Sequence, residues 1–299
     1  MEVVGLKGET DLFFYERPKM SPQKTLLIKE TDRYNLYKLR YESTGCVEVP
    51  ALLSVPKNFP PPYPALLYLH YYRGRKESVE LFIDDFSIRG YAVLSIDIEY
   101  HGERKVEGKD ILSTDLASDK DAFIQTIIDS RTGLDLLENH PLIDRERLAL
   151  LGVSLGSLIG VVVSAVDERV KTVVLVVGGG DMGVIVRKSS LDSIVNIRKF
   201  IKDNGIDLKD LEKMWSSIEP LRYVQKIFPR PLLMLNGTLD TIIPPESSAR
   251  LFEKARGPKR IKWYRGGHEI IGNRSLGLIE EALSWFDLYL KGKKIPQRR

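Results

Sequence analysis

Five runs of apolar residues, at 65–70, 91–97, 147–153, 172–177 and 231–236, recur along the chain with stretches of helical length between them. Each run is nearly continuous rather than alternating. Each therefore predicts a strand buried on both faces, and such strands joined by helices form a mostly parallel sheet covered on both sides. Helical patterns at 78–89, 118–138, 155–166, 245–255 and 276–290 complete an α/β order. Ahead of it, short β-like runs at 26–28, 34–41 and 47–55 predict an antiparallel, β-rich lead-in over residues 1–64, closed by Pro60, Pro61, Pro62 and Pro64.

One interval breaks the rhythm. About fifty residues separate the run at 172–177 from the run at 231–236, where a short crossover would suffice. Two helical patterns, at 189–203 and 208–217, lie within it. An insertion at a strand's carboxyl end hangs over the ligand crevice of an open α/β sheet, so residues 182–230 read as a small helical cap on a single domain spanning 1–299. A surface hairpin remote from any site is the alternative.

With 43% hydrophobic and 29% charged residues, the chain has an ordinary folded composition. Its 45 basic and 41 acidic residues are spread evenly, which argues against a nucleic-acid or anionic-membrane partner. The basic stretch 291–299 reads as a solvated terminus. No apolar run approaches the roughly 20 residues that span a bilayer. The start, Met-Glu-Val-Val-Gly, lacks the basic-then-apolar order of a secretory signal, and the single Cys46 excludes an internal disulfide. Both features point to the cytoplasm. Cys46 itself falls in a strand-like run and reads as a small buried hydrophobe rather than a nucleophile.

Chemistry enters at Gly152-Val153-Ser154-Leu155-Gly156. A strand runs into this G-x-S-x-G and a helix leaves it, which is the strand-turn-helix that a nucleophile elbow needs. The turn lifts the hydroxyl into the crevice, and a glycine two residues to either side avoids collision where strand and helix meet. Serine needs a base, and there are four histidines, His70, His101, His140 and His268. His140 stands before Pro141 at a helix end, as a capping residue would. His268 follows Gly266-Gly267 after a late strand-like segment, a loop from which an imidazole can reach Ser154. The base needs an acid to fix its tautomer. Asp240 follows the strand at 231–236, and the chain order Ser154, Asp240, His268 is that of one serine-triad lineage among three. Asp97, which also closes a strand, is the rival acid, with a hydrogen-bonded turn role as its other reading.

An oxyanion needs two preorganised donors. The Leu155 N–H is the first. The second is expected in the loop His70-Tyr71-Tyr72-Arg73-Gly74, from the backbone N–H of Tyr72 or, failing that, of Tyr71, with His70 bracing the loop. Gly178-Gly179-Gly180-Asp181 lacks the spacing and lysine of a phosphate cradle and reads as a loop into the insertion. Glu99 and His101 lack a second ligand pair, so no metal and no cofactor are expected.

With these residues in place the chain resembles the α/β-hydrolase superfamily over about residues 51–290, and within it the dienelactone hydrolase, acetyl xylan esterase and prolyl-oligopeptidase catalytic-domain group. The likeness rests on Val49-Pro50-Ala51-Leu52-Leu53-Ser54-Val55-Pro56, the histidine loop after the next strand, Asp144-Arg145-Glu146-Arg147-Leu148 before the elbow, and the acid loop at 237–244. Two departures stand out. His70-Tyr71 replaces the His-Gly of many relatives, and Ser157 stands where a second glycine is common. The resemblance implies a serine esterase or peptidase that works without a metal. The expected function is a serine carboxylesterase acting on small to medium ester substrates through an acyl-serine intermediate. A serine peptidase of oligopeptidase type and a catalytically silent ligand-binding protein are the alternatives. The expected partner is a small-molecule ester, and oligomeric state leaves no mark on the sequence.

Overall fold

The computed structural model describes residues 11–17, 25–272 and 277–292. A sheet of nine strands organises them: β1 (Leu26–Glu30), β2 (Tyr34–Glu42), β3 (Glu48–Pro56), β4 (Tyr63–Leu69), β5 (Ala92–Ile96), β6 (Ile143–Val153), β7 (Val170–Val176), β8 (Leu232–Gly237) and β9 (Lys259–Tyr264). Their spatial order is β1-β2-β3-β5-β4-β6-β7-β8-β9. The first three strands form the expected antiparallel lead-in, and β3 pairs antiparallel with β5. From β5 across to β9 every pairing is parallel. The chain steps from β4 outward to β5 and then back across β4 to β6. That reversal opens a crevice at the carboxyl ends of β4 and β6.

Alternation along each strand divides the core into two layers. Ala65, Leu67, Leu148, Leu150, Val173 and Leu175 face one side, under α2 (Leu116–Asn139) and α3 (Leu155–Val166), whereas the shorter α1 (Ile83–Ser87) packs on the opposite side. Leu66, Tyr68, Ala149, Leu151, Val174 and Val176 face the other, toward the helix that ends the chain's described part. Between β7 and β8 lie four helices, α4 (Met182–Lys188), α5 (Asp192–Asp203), α6 (Leu208–Met214) and α7 (Pro220–Tyr223). After β8 come α8 (Pro245–Lys254) and α9 (Leu278–Lys291). No helix among the described residues is long and apolar enough to cross a membrane.

The structure departs from the sequence reading at several points. The helix expected at 78–89 is a 3-10 turn, Lys76–Leu81, followed by α1. Phe82, with φ at −143°, interrupts it so that its ring can pack edge-on against Tyr68 at 5.0 Å. Of the four helices in the inserted stretch, α5 and α6 match the two expected, whereas the short α7 and α4 do not follow from the sequence pattern, α4 because Gly183-Val184-Ile185-Val186 has the composition of a strand. What makes it helical is Asp181, whose carboxylate accepts the Val184 N–H at 3.0 Å as N-cap. Cys46 is exposed, in a 3-10 turn (Thr44–Cys46) between β2 and β3, rather than buried in a strand. Gly45, at φ +67°, turns the chain there. Residues 293–299 of the basic stretch, and Leu276 of the expected last helix, lie outside the described residues.

Candidate active site

The run of β6 ends at Val153, and α3 starts at Leu155. Ser154 between them is held at φ +53°, ψ −113°, a conformation that L-residues seldom adopt. Three contacts maintain it. The Ser154 N–H donates to the Val176 carbonyl at 2.9 Å. The Ser157 hydroxyl, one turn into α3, sits 2.7 Å from the Gly152 carbonyl and 3.0 Å from that of Val176, and so ties the elbow to β7. A Cβ on Gly152 would collide with the Gly156 backbone, and one on Gly156 with the Leu69 carbonyl, which is why both positions are glycine.

His268 begins a 3-10 turn, His268–Gly272, after β9. Its Nε2 lies 2.8 Å from Ser154 Oγ and its Nδ1 2.8 Å from Asp240 Oδ2. The other Asp240 oxygen accepts the N–H groups of Ile242 and Ile243, at 2.8 and 2.9 Å. Because the carboxylate can only accept, Nδ1–H donates to it and Nε2 is left to accept from the serine. The loops carrying acid and base are fastened together: Thr238 N–H donates to Tyr264 O at 2.9 Å and Leu239 N–H to Gly266 O at 2.8 Å. Gly237 allows this approach, since a Cβ there would stand 2.6 Å from the Gly266 oxygen. All three expected residues thus converge. The remaining histidines do not join them.

At the start of α3, Gly156 N–H donates to the His70 carbonyl, and Ser157 and Leu158 N–H to that of Ser154. The Leu155 N–H has no acceptor among the described residues, as expected of the first donor of a helix. After β4, Tyr71 to Gly74 form a turn closed by Gly74 N–H to Tyr71 O at 2.8 Å, with Arg73 at φ +62°. That turn holds Tyr72 against the elbow, where both residues line one pocket. His70 braces it as expected. The buried ring donates from Nδ1 to Tyr71 O at 2.8 Å and accepts the Ile98 N–H on Nε2 at 3.1 Å. Burial pushes its pKa down to about 3, so it stays neutral.

Asp97 does not join Ser154 and His268. It accepts Lys76 N–H at 2.8 Å, Lys76 Nζ at 3.0 Å and Glu103 N–H at 3.0 Å, which is the turn role. Lys76 is wholly buried, and its amine also meets Glu77 and Glu103. Nothing in its polar sequence neighbourhood marked it as buried. Glu99 pairs with Arg104, and His101 Nδ1 contacts the Glu99 carbonyl at 2.9 Å.

Ser154 opens into a cavity of about 40 Å³ whose wall is almost entirely apolar, including Phe123, Leu158, Ile185, Ile194, Trp215 and Ile243. Nearly half of its lining comes from the stretch between β7 and β8. Beside it lies a larger, polar cleft of about 300 Å³ formed by Arg73, Asp110, Ser113, Asp192, Ser193 and Asn196 among others. Tyr72 and Leu112 border both. The Tyr72 hydroxyl donates to Asp110 at 2.7 Å. Asp119 fixes the cleft's Ser113 through its N–H and hydroxyl, both at 2.7 Å, and burial pushes the Asp119 carboxyl up to about 7.

The model of the acetyl xylan esterase family matches residues 18–276. The chain belongs to this family. Among proteins similar to it is YtaP of Bacillus subtilis (strain 168), 28% identical over 240 residues that cover 75% of this chain and 76% of that protein. Two solved family structures share its fold at 19% identity. The acetyl xylan esterase from Paenibacillus sp. R4 superposes with a TM-score of 0.75 over 92% of both chains. Acetyl xylan esterase 1 from Thermoanaerobacterium sp. JW/SL YS485 gives 0.73 over 92% of this chain and 91% of its own. A puromycin-hydrolyzing peptidase from Mycobacterium tuberculosis has the same fold at a TM-score of 0.68, this chain spanning 41% of it. Membership makes the chain an α/β hydrolase of the carboxylic-ester-hydrolysing kind.

Proposed function

We propose that this esterase works through an acyl-serine intermediate, with Ser154 as nucleophile, His268 as general base and Asp240 as the residue that orients the base. The observation that carries the reading is the unbroken pair of 2.8 Å contacts from Ser154 through His268 to Asp240. His268 takes the Ser154 proton as Oγ attacks the acyl carbon, and gives it to the leaving alcohol. It then takes a proton from the water that releases the acid. The N–H groups of Leu155 and Tyr72 receive the oxyanion in each tetrahedral intermediate.

The two cavities divide the substrate. A water-sized group takes at least about 10–15 Å³ of such space, so a cavity of about 40 Å³ holds roughly three or four heavy atoms, which favours acetyl and propionyl groups. The polar cleft suits an alcohol rich in hydroxyls, consistent with the activity for which the family is named. The test is labelling of wild type and Ser154→Ala with a fluorophosphonate, alongside turnover of p-nitrophenyl esters of increasing chain length. Labelling that vanishes in the variant, with acetate turned over faster than hexanoate, is expected. Undiminished turnover by Ser154→Ala would sink the proposal.

A further inference from the structure

The largest apolar cavity among those described lies elsewhere. It measures about 250 Å³ and is lined by Tyr68, Tyr71, Phe82, Val153, Ile271 and Ala282, among others. Its walls belong to the core layer on the α9 side of the sheet, whereas the acyl pocket is built from the opposite layer, and the two share no lining residue. For scale, an engineered apolar cavity of about 150 Å³ admits benzene. A pocket-sized void lined by aromatic and aliphatic side chains with few polar groups is the usual form of a small-molecule site.

Two tyrosines, Tyr68 and Tyr71, line this cavity, and Tyr68 is the buried one. Its side chain is 1% exposed and borders the cavity, and its hydroxyl has no hydrogen-bond partner among the described residues. Unpaired within the chain and bordering the void, this hydroxyl is available to donate to an acceptor that enters the cavity. Burial holds this phenol well above its usual range, which makes it a neutral donor at any working pH. An ionised acceptor would be costly to bring into such surroundings, so the partner must be neutral.

We propose that this cavity is a binding site for a small uncharged amphiphile, with an apolar ring or short alkyl body that fills the void and one carbonyl or ether oxygen that accepts from Tyr68. The ligand would touch Val153 beside Ser154, Tyr71 beside Tyr72, and Ile271 in the turn that begins with His268.

The test uses acetophenone as probe and ethylbenzene as its counterpart without the oxygen, each titrated calorimetrically into full-length Ser154→Ala protein. That background keeps the result independent of the catalytic reading. Saturable one-to-one binding of acetophenone is expected, about fivefold tighter than ethylbenzene, the worth of one neutral hydrogen bond. Tyr68→Phe should erase the difference between the probes. Filling the cavity with Ala282→Phe should abolish both bindings, and Ile279→Phe, on the neighbouring part of α9, provides a second filled variant, each checked for a cooperative melt. Absence of saturable binding, equal affinities for the two probes in the Tyr68 protein, or binding that survives both filled variants would each overturn the proposal.

Discussion

Acidification acts in opposite directions on two buried groups near the site, and each can be isolated by substitution. Protonating His70 in the native state would need a second ring proton on Nε2, where the Ile98 N–H already points, inside a fully buried pocket. Its pKa therefore falls from 6.5 to about 3, with burial as the main cause and the nearby His101 and Lys76 adding to it. Between those values the unfolded chain holds a proton that the native chain lacks, so stability is lost as pH falls below 6.5. From pH 7.5 to pH 5 the loss is about 2 kcal/mol. Asp119 does the reverse. Burial lifts its carboxyl from 3.8 to about 7, so over that interval the native chain holds the extra proton, and the same acidification contributes about 2–3 kcal/mol of stability. Because the two nearly cancel, the wild-type curve alone is uninformative. Urea unfolding of wild type, His70→Asn and Asp119→Asn at both pH values separates them. The stability advantage of wild type over His70→Asn should shrink by about 2 kcal/mol at pH 5, while that over Asp119→Asn should grow by about 2–3 kcal/mol. Differences that stay constant with pH would refute the reasoning.

Three further outcomes follow from the geometry. Asp240→Asn should lower kcat about 10⁴-fold with little change in KM, since it spoils the His268 tautomer and leaves the pockets intact, as steady-state kinetics will read. Gly156→Ala places a methyl group against the Leu69 and His70 carbonyls and should cost about 1–3 kcal/mol in urea unfolding. Ile194→Ala enlarges the acyl pocket and should raise the butyrate-to-acetate ratio of kcat/KM about tenfold, as measured with p-nitrophenyl esters.

Much of the fold was legible because its central strands are buried on both faces, and continuous apolar runs such as Leu148-Ala149-Leu150-Leu151 leave few alternatives. At the margins the signal weakens. β1 is exposed along its whole length, and β9, Lys-Arg-Ile-Lys-Trp-Tyr, lies at the sheet's other edge, where charge is tolerated and only its last residues read as a strand. The Ser-Thr-Gly turn before Cys46 was available as a signal, yet the apolar residues beyond it outweighed it. For the site, the positions of Ser154, Asp240 and His268 were readable because chain order and strand ends constrain them. Lys76 and Asp119 were not, because a buried charge is created by partners distant in sequence. The three cavities were equally hidden, since their walls join segments that no local pattern connects.

The cavity beside Ser154 takes nearly half of its wall from the stretch between β7 and β8, while Ser154, Asp240 and His268 all stand on loops at the sheet. No hydrogen bond joins that stretch to those three side chains among the described residues, although Ser190 reaches the neighbouring Thr241 carbonyl. A duplicated gene could therefore exchange or rewrite these helices and accept a different acid without relearning the reaction. Part of the pocket wall can thus vary between β7 and β8 while the stretches that carry Ser154, Asp240 and His268 stay as they are.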